Sequence, residues 1–229
     1  MPIVIGLVLV ILVAIVFGPQ WWIKRALERH GVDRPDLPGT GGELARHLLD
    51  RAGLNAVKVE LTGDGDHYDP TDRAVPLTPP HHDGRSVAAV AVAAHEVSHA
   101  IQHARGERAF ALRVDLVGNL TWIDRIASGV LLLAPVVFLL IKAPILLVLQ
   151  IIAGVLLLMI RVVVHIVTLP VEFDASFGKA LPVLEHGNYL RASDLPAARS
   201  VLRAAAWTYV AAALATLLDV ARLFRVLRF

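Results

Sequence analysis

AAHEVSHAIQH, residues 93–103, decides how the rest of the chain is read. In a helix, His95 and His99 stand about 40° apart around the axis and about 6 Å apart along it, so both imidazoles leave one face at the spacing a single zinc ion takes. Glu96 lies one step round the helix, where its carboxylate reaches a metal-bound water rather than the metal. A helix is expected because Ser86 caps its start, residues 87–94 contain neither Pro nor Gly, and Gly106 supplies a stop. In a soluble helix the same letters would be three solvated polar side chains. Here AVAVAA precedes them and Ala100 and Ile101 follow. The helix is therefore expected to be buried, where His and Glu need partners that a metal supplies together.

Composition sets the environment. The chain has 229 residues, 56% of them hydrophobic, with a mean hydropathy of +0.62. That exceeds the apolar share of about half found in soluble domains and indicates a membrane protein in contact with the lipid bilayer. A net charge of +2 with scattered arginines and no basic-aromatic module gives no reason to expect a nucleic-acid partner. With no cysteine, disulfides and thiolate zinc sites are excluded, and any Zn2+ must be held by His and carboxylate.

The chain divides into four parts. Residues 1–23 form an N-terminal membrane anchor: the apolar run reaches about 20 residues and ends on Trp21 and Trp22, followed by Lys24, Arg25 and Arg29. No basic residue precedes the run and no small-x-small site follows it, which argues against a cleaved signal peptide. The basic flank puts the next part in the cytoplasm.

Residues 24–125 are the first part of a zinc-site domain. Thr40 caps a helix over residues 43–52, Val57, Val59 and Leu61 alternate as a strand, and HYDPTDRAVPLT reads as two short strands around a turn. Pro76 assigns the second of these to an edge. Ala74, Val75 and Leu77 are then the candidates for holding an extended peptide by strand addition, on equal terms with a plain hairpin packed on the active helix.

Residues 126–169 are almost wholly apolar and too long for one crossing, which fits a transmembrane hairpin turning near residues 142–144, Lys-Ala-Pro. A hairpin returns the chain to the side it left, so residues 170–229 share a compartment with His95. They open with VEFDAS, where Glu172 completes a His-His-Glu set and Asp174 orients a ligand histidine through its free ring nitrogen. The alternative is that both acids only favour a helix N-terminus. Residues 204–218 are apolar, but about fifteen residues is short for a span, and Asp219, Arg222, Arg225 and Arg228 follow. That predicts a packing helix. The fold class expected is a mostly α membrane protein with a small β hairpin or sheet, an HExxH zincin-like domain joined to transmembrane helices. His103, His165 and Tyr209 are equal candidates to stabilise a developing oxyanion.

AVAAHEVSHAIQHARG and TLPVEFDAS, with DHYDP, the GRS before the active helix and AAAWTYVAAAL, resemble the membrane neutral zinc metallopeptidases, the YugP-like family. That family is distantly similar to the HtpX and CAAX prenyl endopeptidase zinc proteases. The resemblance implies a Zn2+ endopeptidase of the bacterial cell membrane whose substrate is a protein or peptide, membrane proteins included. Carried over, it implies His95, His99 and Glu172 as ligands and Glu96 as base. Two departures stand out. Ser98 occupies a position that is glycine in the family's HEVGH, and Ala175-Ser176 stands where the distant proteases have Ala-Asp, leaving Asp174 the nearest substitute. The rival, a catalytically silent zinc-binding scaffold or chaperone partner, would predict damage to His95, Glu96 or His99, and all three are intact.

Overall fold

The computed structural model describes residues 17–227, so most of the expected N-terminal anchor lies outside the described residues. The chain forms two compact units. One consists of Gly18–Ala111 with Leu169–Thr208, and the other is built mainly from Leu112–Thr168 with the chain beyond Tyr209.

In the first unit, residues 17–30 are helical (α1) from residue 18 on, and α2 is Gly41–Arg51. Its start is a reciprocal cap. Thr40 Oγ1 accepts from the Glu43 N–H at 3.2 Å and Glu43 Oε2 accepts from the Thr40 N–H at 2.8 Å. Strand β1 (Lys58–Leu61) and strand β2 (Ala74–Leu77) are followed by the single turn α3 (Pro79–His82) and by α4 (Val87–Ala104). The Ser86 hydroxyl caps α4 by accepting from the Ala89 N–H at 3.0 Å, and Gly106 at φ +62° turns the chain out. From Val87 to Ala100, α4 is buried on every side. Helix α2 lies close against it: a Cβ on Gly41 would stand 2.1 Å from the His81 carbonyl oxygen and 2.8 Å from that of Ala89.

The expected strands around the Asp69–Asp72 turn are present as a short antiparallel pairing, and the second of them gains a parallel partner as well. β1 and β2 run parallel, with Lys58 opposite Ala74 and Leu61 opposite Leu77. Residues 62–73 between them supply the dozen or so residues a parallel crossover takes. Within that crossover, residues 67–69 return antiparallel along the other side of β2. The His67 N–H donates to the Pro76 carbonyl at 3.1 Å, and Asp69 and Ala74 exchange bonds of 2.8 and 3.2 Å. β2 is therefore the middle strand, not an edge. Pro76 is tolerated because the ladder on that side uses only its carbonyl. Ala74, Val75 and Leu77 are 2%, 0% and 0% exposed. The reading of these three as an open peptide-binding edge is thus corrected, because both their edges and their side chains are occupied by the chain itself.

In the second unit, most of α5 (Arg108–Ile141) and of α6 (Pro144–Phe173) turn about Lys142, whose φ is +53°. They pair closely. Gln150 donates to the Val130 carbonyl at 2.7 Å, and Gly154 sits where a Cβ would meet Leu131 at 2.4 Å. Leu132, Leu139, Leu140, Ile145 and Leu156 are all more than half exposed, an outward apolar surface that suits lipid rather than water. Among the described residues, three helices are by length and composition able to cross a membrane: Arg108–Ile141, Pro144–His186 and Leu195–Leu218. The third belongs to α8 (Leu195–Leu227). Helix α8 is longer than its apolar run, so the length argument against its crossing does not hold. Ala198, Val201, Leu202 and Ala204 at its start are fully buried in the first unit, as a packing helix requires.

Candidate metal centre

Helix α4 delivers two imidazoles to one place. The His95 and His99 rings lie 4.7 Å apart at 80° to each other. Glu172, one residue before the end of α6, sets its Oε2 at 3.2 Å from His95 Nε2 and 3.5 Å from His99 Nε2. All three residues are buried, and their ligand atoms lie within 4.8 Å of one another. The sequence expectation for this trio is met: two segments 77 residues apart in the chain converge at one point.

Proton positions follow from the hydrogen-bond partners. Gln102 Nε2 donates to the Val171 carbonyl at 3.0 Å and to Asp174 Oδ2 at 2.7 Å. Those partners fix the amide's orientation and leave Oε1, an acceptor, 2.8 Å from His99 Nδ1. His99 therefore carries its proton on Nδ1. The Ser176 hydroxyl lies 3.1 Å from the Leu202 carbonyl and 3.0 Å from His95 Nδ1, and its single proton can serve either partner. The Nε2 atoms of both rings face the Glu172 carboxylate. Three electron-pair donors meeting in a nearly dry space repel one another unless a cation lies among them. Two imidazoles and a carboxylate, without a thiolate, form a donor set suited to catalytic zinc.

The segment after Glu172 explains how Ser176 comes to be there. Pro170 lacks an N–H, and beyond Phe173 the helix widens into a π turn, Asp174–Ala180, before α7 (Leu181–His186) resumes α geometry. Glu172 and Ser176 both reach α4, at the position where the distant Glu-x-x-Ala-Asp pattern has its aspartate. The direct role expected for Asp174 is corrected accordingly. It bonds Gln102, through which it reaches His99, and Lys179, whose Nζ also lies 3.0 Å from Glu107 Oε1.

The remaining candidates separate. His103 is beside the ligands but engaged: its Nδ1 is 2.8 Å from the Tyr68 hydroxyl and its ring stacks on Phe110, which lies 5.9 Å from His99. Tyr209 belongs to the other unit, where its hydroxyl accepts from Arg113 at 2.8 Å and its ring packs on His165. Glu96 is 7% exposed on α4. Ser98 donates to the Ala94 carbonyl at 2.7 Å and lines a cavity of about 390 Å³ with Val97, Ile101 and Tyr189. Gln102, Ser176, Tyr68 and Phe110 escaped the sequence reading. Two of them carried a signal: Gln102 stands three residues past His99 and so on its face, and Ser176 stands where the distant proteases have an aspartate.

Comparison with known proteins agrees with this geometry. The model of the family described as "Putative neutral zinc metallopeptidase" matches residues 5–228. The "Putative membrane protease YugP" of Bacillus subtilis (strain 168) is 39% identical over 212 residues, covering 90% of this chain and 88% of that protein. No solved structure matches the chain. With a family match running nearly end to end and a relative this similar, the chain belongs to the neutral zinc metallopeptidase family.

Proposed function

We propose that this chain is an integral membrane zinc endopeptidase of zincin-like plan, acting on protein or peptide substrates that include membrane proteins. The observation that carries the reading is the meeting of a buried carboxylate with two imidazole nitrogens from the helix that also carries the buried Glu96. His95, His99 and Glu172 would hold Zn2+. Bound there, zinc supplies Lewis acidity towards a peptide carbonyl and lowers the pKa of water at its open position to about 7. Glu96 takes a proton from the attacking water and returns it to the leaving amine. Gln102 and Ser176 each meet the Nδ1 of one ligand ring, at 2.8 Å for His99 and 3.0 Å for His95, and so hold the rings in place. Lys24, Arg25 and Arg29 after the first apolar run support a catalytic unit facing the cytoplasm of a bacterial cell.

The test is detergent-purified protein analysed for metal content and for casein cleavage, parent beside Glu96→Gln. The expected result is one zinc per chain in both and a loss of cleavage of roughly 10²–10⁴-fold in the variant. Equal cleavage rates would overturn Glu96 as base, and absence of metal from the parent would overturn the zinc reading.

A further inference from the structure

The two ligand histidines are oriented by chemically different partners. Ser176 meets His95 with a hydroxyl, which has one proton and can rotate: it donates to the Leu202 carbonyl while accepting from His95, or reverses and donates to His95 Nδ1. Gln102 has no such freedom. Both protons of its amide are engaged, one by the Val171 carbonyl and one by Asp174, and Lys179 in turn holds Asp174. Flipping the amide would set its oxygen against two acceptors and its nitrogen against Nδ1–H. Gln102 is itself 1% exposed, so water does not offer a substitute partner.

A histidine side chain free in water favours the tautomer with its proton on Nε2, the nitrogen that must be bare to bind metal here. An unassisted His99 would therefore present a proton to the site. We infer that Gln102 is a positioning residue that locks His99 in the Nδ1–H form before any metal arrives, while His95 stays switchable through Ser176. This rests on the zinc reading for its purpose but not for its existence, because the lock is built from protein groups alone. It divides labour between the ligands. His99 is the permanently prepared one, and the chain Glu107–Lys179–Asp174–Gln102 is what prepares it.

The test is ¹⁵N NMR of histidine-labelled, metal-free full-length protein in micelles above pH 8, with His99 and His95 assigned by single substitution. In the parent, His99 shows the Nδ1–H signature. In Gln102→Leu it shifts to Nε2–H, and zinc affinity by chelator competition falls roughly 10–100-fold. In Gln102→Glu, the buried carboxyl in its protonated form donates to Asp174 or the Val171 carbonyl with one oxygen and accepts from Nδ1–H with the other, so the His99 signature stays that of the parent. This variant carries the test if the leucine variant fails to fold. An Nε2–H signature for His99 in the parent, its persistence as Nδ1–H in Gln102→Leu, its loss in Gln102→Glu, or an unchanged zinc affinity in Gln102→Leu would overturn the proposal. A protein that binds no zinc yet shows the expected tautomers would overturn the zinc reading and leave the lock standing.

Discussion

Ser176 places its hydroxyl oxygen 3.0 Å from Nδ1 of His95, on the side of the ring away from Glu172. Ser176→Ala removes the acceptor and leaves a buried N–H unsatisfied, which costs about 1–3 kcal/mol. The expected outcome is a lower melting temperature and zinc affinity reduced roughly tenfold or more by chelator competition. An affinity equal to the parent's would mean His95 needs no help.

Glu172→Gln keeps the shape of the side chain and removes the negative charge that balances a cation. Elemental analysis of this variant should find far less than one zinc per chain. Full retention would place the third ligand elsewhere.

Acid stability should depend on Asp66. Burial raises its pKa, but the His81 ring nitrogen at 2.6 Å and the Thr78 N–H at 2.7 Å outweigh this and hold it below the ordinary aspartate value. A carboxylate with a lowered folded pKa contributes stability above its unfolded pKa of about 3.9, and that contribution is lost as pH falls through the folded value. Melting temperature should therefore drop more steeply below about pH 4 in the parent than in Asp66→Asn. Superimposable acid limbs would contradict this assignment.

Close helix contact makes Gly41 irreplaceable in a way that Gly63 is not. A methyl group at Gly41 meets two backbone carbonyls, which cannot swing away, whereas at Gly63 it meets nothing within 4 Å. Gly41→Ala should destabilise by about 1–3 kcal/mol in thermal or denaturant melts, with Gly63→Ala nearly neutral. Equal effects would mean that α2 shifts freely against α4.

Much of this was legible in the sequence because it depended on short-range rules. The spacing of His95 and His99, the cap at Ser86, the stop at Gly106 and the turn at residues 142–144 each depend on neighbours a few residues away, and the chain folds as they imply. Glu172 was legible through its motif and its place after the apolar hairpin. The parallel pairing in the sheet went unread because alternation marks a strand without naming its partner. Val59 and Val75 pair in parallel through a crossover that no turn signal reports. Ser176 was hidden because a π turn changes which residues share a face, and nothing in Asp-Ala-Ser-Phe-Gly announces one. The start of α8 is buried as the expected packing helix requires, and the helix continues through Arg199 and Arg203 without a break.

The separation of the ligands along the chain also sets a timetable. His95 and His99 leave the ribosome early, Glu172 follows only after two apolar helices have been made, and the Leu202 carbonyl that holds Ser176 comes 26 residues after that serine. Until nearly the whole polypeptide exists, the nascent chain has two histidines and no completed centre. The metal-ligand trio is thus brought together only after both apolar helices have been made, and the carbonyl beside Ser176 follows later still.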